Sequence, residues 1–197
     1  MKLDRRHFLA ATGALAAGTA IAQGASPLPF FINTWNTPLM PPAKGRKRVV
    51  IAGGGWGGIS AARHLRLNDP DLEVVVLERN PVFFSCPMSN KWLVDIVNAE
   101  YLTQSYLKTA DKFGYTFVQT EVTGFERDRK RVITAQGWID YDYLIVAAGI
   151  RYNYETWFGN DRRAADYTKA NFPAAYIPNA EHFTLKRGIQ EFKGGDL

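Results

Sequence analysis

The chain has 197 residues, 46% of them apolar and 13% aromatic, which is enough to build a buried core and excludes a disordered chain. Its formal charge of +5 comes from 24 Lys and Arg set among 19 Asp and Glu, with no long cationic block, so a nucleic-acid-binding surface is not expected. Cys86 is the single cysteine, and no disulfide can form within the chain.

Residues 4–9 read DRRHFL and lead into the small-residue run AATGALAAGTAIA. The run is too short and too weakly apolar to span a bilayer, so no stable membrane span is expected. The paired arginines followed by Phe8 and Leu9 resemble a twin-arginine export signal, and Ala20-Ile21-Ala22 fits a small-x-small cleavage site. The expectation is a signal peptide over 1–22, a mature chain from Gln23 and a periplasmic location. The alternative, an amphipathic first helix, lacks a 3.6-residue apolar stripe. Twin-arginine export carries folded proteins, often with a bound cofactor. Residues 23–46, rich in Pro and Asn, read as a linker or surface arm whose Phe30, Phe31 and Trp35 dock on the domain itself or on a partner.

At Val49-Val50-Ile51 a short apolar run suits a strand buried on both faces, and Ile59, Ala62 and Leu65 then recur at helical spacing. Between them Gly53, Gly55 and Gly58 form G-x-G-x-x-G. The first glycine permits a tight turn, the second lets backbone approach a pyrophosphate, and the third lets helix and strand pack closely. Unpaired N–H groups at the helix start then face the phosphates. A second strand, Val74–Leu77, ends in Glu78, about twenty residues beyond Gly58, where a carboxylate accepts from ribose hydroxyls. A carboxylate there also disfavours a 2′-phosphate.

Downstream, Tyr101, Leu102, Tyr106, Leu107, Ala110 and Phe113 predict one helix face ending at Gly114. Residues 122–134 predict a β-hairpin with a charged RDRK tip, and Tyr143–Ala147 a buried strand running into Ala148-Gly149. The glycine turn does not by itself separate FAD from NAD. The segment GWIDYDYLIVAAG resembles the second FAD signature of glutathione-reductase-like flavoproteins, and that resemblance implies FAD. Gly149 would let the chain pass close to the cofactor.

The stretch from Arg48 to Asn90 resembles the opening of the flavoprotein subunit of flavocytochrome c sulfide dehydrogenases, where two aromatics precede Cys-x-x-Ser-Asn; here these are Phe83, Phe84, Cys86, Ser89 and Asn90. The likeness runs from about Lys47 to the last residue. It implies that Cys86 is joined by a thioether to the 8α-methyl group of FAD. A buried structural thiol and a redox thiol are the other readings of Cys86. The cofactor-binding set is Gly53, Gly55, Gly58, Glu78, Cys86, Val122, Ala148 and Gly149. The resemblance further implies oxidation of sulfide or a related sulfur compound, with electrons passed to a c-type cytochrome subunit. The redox disulfide of that family is absent here and expected beyond Leu197, so no catalytic residue is assigned.

His7, His64 and His182 share no metal-ligand spacing and read as solvent-facing or structural. Trp157 and Phe158 line the flavin site or pack in the core. Asp95 and the RDRK tip read as solvated. FTLKRGIQEFKGGDL reads as a helix closed by Gly194-Gly195. The reading is a Rossmann-like, three-layer α/β FAD-binding domain over 47–197, of the glutathione-reductase type, with a β-hairpin insertion and incomplete at its C-terminus. Sulfide:quinone and NADH:quinone oxidoreductases share both signatures and remain enzymatic alternatives; a flavin- or partner-binding module without turnover is the alternative of another class.

Overall fold

The computed structural model describes residues 37–177 and 179–195. The expected signal peptide and its cleavage site, together with Phe30, Phe31 and Trp35, lie outside them. A four-stranded parallel sheet runs in the order β5-β2-β1-β9, formed by β1 (Arg48–Ala52), β2 (Glu73–Glu78), β5 (Thr116–Gln119) and β9 (Tyr143–Val146). The central strands are continuous runs of β-branched and aliphatic residues because both of their faces are covered.

Alternation along these strands sorts the core into two halves. Val49, Ile51, Val74 and Val76 point to the face covered by α1 (Trp56–Asn68), which supplies Ala62, and α4 (Tyr106–Phe113), which supplies Ala110. Val50, Val75 and Leu77 point the other way, onto Val132 and Ile139. Those two belong to a three-stranded antiparallel sheet of β6 (Val122–Glu126), β7 (Arg131–Thr134) and β8 (Gly137–Asp140). The result is three layers: helices, parallel sheet, antiparallel sheet.

The predicted hairpin is present as β6 and β7, which pair from Val122↔Thr134 to Glu126↔Arg131. The sequence reading missed β8, whose Gly137-Trp138-Ile139-Asp140 alternates buried and half-buried. Residues 37–40 lie along its edge: Leu39 N–H donates to Trp138 O at 2.9 Å and Trp138 N–H to Thr37 O at 3.1 Å, while Leu39 and Met40 pack on the Val50–Ile139 cluster.

Two other expectations are corrected. The single helix face over 101–113 is interrupted: α3 (Ala99–Leu102) ends, β4 (Thr103–Ser105) pairs with β3 (Val82–Phe84), and α4 begins with Ser105 as N-cap, accepting from Lys108 N–H. Helical spacing survives the break because Leu102, Tyr106 and Ala110 are buried, whereas Tyr101 and Leu107 face solvent. The β9 strand is an edge strand with Tyr143 and Val146 exposed, its apolar composition notwithstanding. Beyond β9 come a 3-10 helix (Tyr154–Phe158), α5 (Arg162–Asn171) and α6 (Ala180–Glu191); α2 (Ser89–Leu93) packs against α6. Helix α6 stops at Phe192, just ahead of Gly194 and Gly195, both at positive φ.

At the N-terminal end of the parallel sheet, Asp142 clamps β9 to β1. Its Oδ2 accepts from Arg48 N–H at 2.8 Å and its Oδ1 from Lys47 Nζ at 2.9 Å. The Arg48 backbone bond first, and Lys47 second, hold the carboxyl below its ordinary 3.8. A depressed folded-state pKa contributes stability that is complete above the unfolded value and is lost as pH falls through the folded one. Asp142→Asn is therefore expected to unfold at lower temperature than wild type at pH 5–7, and the difference should shrink below pH 3.8. Thermal melts of both proteins across pH 2.5–7 check this; a gap independent of pH would refute it.

Candidate functional site

The β1–α1 turn is the tightest point in the structure. Gly53 sits at φ +108°, and a Cβ there would stand 2.3 Å from Ala147 O, so only glycine fits between β1 and β9. A Cβ on Gly58 would stand 1.9 Å from Gly53 O, so helix and turn touch backbone to backbone. Gly55 is different: nothing lies within 4 Å of its Cβ position, and it faces a cavity of about 1250 Å³. It is also the N-cap of α1, which has no side-chain cap and no acid in its first turn. The leading N–H groups of α1 are thus left for an anion.

Glu78 lines the same cavity but is partly engaged by the protein. Its Oε2 accepts from Gly54 N–H at 2.9 Å, and its Oε1 from the Asn80 N–H at 2.9 Å and the Asn80 amide at 2.6 Å. A carboxylate offers about four acceptor positions, so capacity for one ribose hydroxyl remains. The backbone bonds also fix the carboxylate against the glycine turn. Tyr106, read from sequence only as a helix-face residue, donates to Gly54 O at 3.0 Å and stacks on Phe117 with centroids 4.7 Å apart. Burial, and then the Glu78 charge, push its phenol pKa up, so it stays a donor. A buried tyrosine aligned with the middle residue of a glycine turn was the missed signal.

Ala147 N–H continues the β1–β9 ladder to Ala52 O at 2.8 Å, after which Ala148 and Gly149, at φ +75°, enter the cavity wall. Val122 lines it from β6. Cys86 stands in the same wall, half-buried, on the turn between β3 and α2. Its Sγ donates to Ala175 O at 3.3 Å. Of the expected set, the cavity brings together Gly53, Gly55, Glu78, Cys86, Val122, Ala148 and Gly149; Gly58 lies behind the turn as its packing contact.

Other readings are revised. Trp157 is 74% exposed, and neither it nor Phe158 lines the cavity or the core. Asp95 is not merely solvated: it pairs with Lys186 and accepts from Gln190 at 2.9 Å, tying the end of α2 to α6. His182 takes the structural one of its two readings: it is buried, its Nδ1 facing Ile177 O at 2.8 Å and its Nε2 facing Ser89 Oγ at 3.2 Å. Because a carbonyl only accepts, the Nδ1 carries a proton. Among the described residues no cluster of His, Cys, Asp or Glu has metal-binding geometry, and no helix is long and apolar enough to cross a membrane.

A glycine turn feeding an uncapped helix, an acid at the end of the next strand and a second glycine crossing beside them define a dinucleotide-binding α/β domain. These residues fit an FAD or NAD cofactor: the space over Gly55 is open, and the donors suit a pyrophosphate. Residues 47–185 match the profile of the pyridine nucleotide-disulphide oxidoreductases, and the chain belongs to that family, whose proteins bind FAD and NAD(P). A type II NADH:quinone oxidoreductase of Staphylococcus aureus (strain NCTC 8325 / PS 47) is 32% identical over 112 residues, 54% of this chain and 27% of that protein. The sulfide:quinone oxidoreductase of Aquifex aeolicus superposes with a TM-score of 0.61 at 25% identity, over 74% of this chain and 32% of that one. A NAD-dependent persulfide reductase from A. fulgidus shares the fold, with a TM-score of 0.52 at 24% identity. The chain thus spans about a fifth to a third of the length of these proteins.

The three glycines should respond differently to alanine. Gly53→Ala and Gly58→Ala, which force a Cβ into backbone, are expected to destabilise the fold by about 3 kcal/mol or more. Gly55→Ala should leave the melting temperature close to wild type while lowering bound flavin several-fold. Thermal melts and flavin absorbance of the purified variants check both expectations; normal flavin content in Gly55→Ala would refute the assignment of the phosphate site.

Proposed function

We propose that the whole protein is an exported FAD-dependent oxidoreductase that oxidises sulfide or a related sulfur compound and passes the electrons to a c-type cytochrome. In this reading residues 1–22 are a twin-arginine signal, 23–46 an arm and 47–197 the FAD-binding domain; the reaction takes place in the periplasm. The observation that carries it is the placement of Cys86 in one cavity wall with Gly53, Gly55 and Glu78. A structural thiol would not need to face the cofactor cavity. Bound there, FAD supplies a two-electron acceptor that can release electrons singly.

The glycine turn and the α1 N-terminus hold the pyrophosphate, Glu78 a ribose hydroxyl, and Gly149 leaves room for the chain to pass the cofactor. Cys86 would hold it through a thioether at the 8α-methyl group, a C–S bond formed in place of the S–H bond and one methyl C–H bond, with two protons and two electrons leaving to the downstream acceptor. The fold's likeness to a sulfide:quinone oxidoreductase supports sulfur chemistry. It also supports a second reading in which a quinone replaces the cytochrome, as does the similarity to an NADH:quinone oxidoreductase.

Mass spectrometry of the denatured full-length protein tests the anchor. The Cys86 peptide is expected to carry the mass of one FAD in wild type and none in Cys86→Ala, which should retain acid-releasable flavin. Unmodified Cys86 in a flavin-loaded wild type would refute the thioether. Sulfide-dependent reduction of cytochrome c against that of a soluble quinone then decides between the two acceptors; reduction of the quinone alone would replace the cytochrome reading.

A further inference from the structure

The segment over Cys86 is pinned at four successive residues. Ala174 N–H donates to Glu181 Oε2 at 3.1 Å, and Ala175 O accepts from Cys86 Sγ. Tyr176 and Ile177 N–H both donate to Tyr152 Oη, at 2.5 and 2.9 Å. Ile177 O meets His182 Nδ1, whose other nitrogen reaches Ser89 of the Cys86 turn. Glu181 is 4% exposed and has no cation within ion-pairing distance among the described residues. Its charge is met by Ala174, by Tyr154 Oη at 2.7 Å and by the N-terminus of α6. Burial, followed by the bond to Glu181, pushes the Tyr154 phenol pKa up to about 12, which keeps that donor in place.

A carbonyl oxygen accepts and cannot donate, so sulfur is the donor in the Cys86–Ala175 contact, and the Ala175 carbonyl lies directly against it. A surface loop without internal secondary structure would ordinarily open readily, yet the backbone groups of this one are held by the buried Glu181 and His182 and the half-buried Tyr152.

We propose that residues 174–177 form a built-in cap that shields the Cys86 sulfur from reagents in solution, and that Glu181 and Tyr152 are the residues positioning the cap. The proposal rests on Cys86 being the flavin anchor.

The test uses the full-length protein from riboflavin-limited cells, so that part of it lacks flavin. The flavin-free fraction is alkylated with iodoacetamide under native conditions, and the covalent and acid-releasable flavin of the remainder are measured. Glu181→Ala and Tyr152→Phe remove acceptors for one and two cap N–H groups. Cys86 is expected to alkylate about tenfold faster in each, the opening expected from losing hydrogen bonds that hold the loop closed. Glu181→Gln keeps an acceptor for Ala174 and should stay near the wild-type rate, which a general loss of folding would not produce. Wild-type alkylation rates in both Glu181→Ala and Tyr152→Phe would overturn the cap; should Glu181→Ala fail to fold, Tyr152→Phe decides alone. Wild-type protein carrying only acid-releasable flavin would refute the thioether instead, while the alkylation rates still decide the cap.

Discussion

Three stretches of backbone meet at Gly53. The carbonyl of Gly53 lies against Gly58 of α1, and its Cα lies against Ala147 at the end of β9, each too close for a side chain. This contact fixes the distance between the first strand, the first helix and the last parallel strand. The other placements follow. Gly53 N–H reaches back to Leu77 O on β2, and the next residue, Gly54, is held from both sides, its N–H by Glu78 and its carbonyl by Tyr106. The turn is therefore rigid before any phosphate binds, and the anion site costs little ordering when it is filled.

The parts of this arrangement that depend on backbone alone were legible in the sequence. Glycines in fixed spacing, the aliphatic run of β1 and the acid ending β2 each follow from a local rule that tolerates little substitution. What was not legible depended on partners far along the chain. A break at Thr103 is invisible to helical periodicity, because Leu102 and Tyr106 stay four residues apart whichever way the chain runs between them. The β8 strand was hidden because Gly137–Asp140 is short and precedes another apolar strand. The exposure of β9 could not be read from its composition, which suits a strand covered on both sides.

Glu78 and Glu181 show one solution used twice. Each is a carboxylate at the cavity wall that accepts from backbone N–H groups of a loop and so orders that loop: the glycine turn in one case, residue 174 in the other. Burying a carboxylate is expensive unless its oxygens are satisfied, and N–H donors supply this without a neighbouring cation. A lysine or arginine there would satisfy the charge equally well but would add a positive side chain to the cavity wall. The sequence announces only the first of these acids, since Glu78 ends a strand at a spacing with a known meaning and Glu181 sits in a helix start like many others.

The two ends of the cavity consequently differ in kind. At the glycine end, geometry is set mainly by the main chain, with Glu78 and Tyr106 holding Gly54, and would serve FAD and NAD alike, which is why the sequence motif is recognisable and chemically uninformative. At the Cys86 end, a turn between β3 and α2, a 3-10 helix and the segment 174–177 converge, and their mutual position depends on side chains: Tyr152, Glu181, His182 and Ser89. Those four are spread from residue 89 to residue 182, with no spacing rule among them. Chemistry specific to this protein belongs at that end, because there the choice of side chain, more than the path of the backbone, decides what the cavity presents to the cofactor.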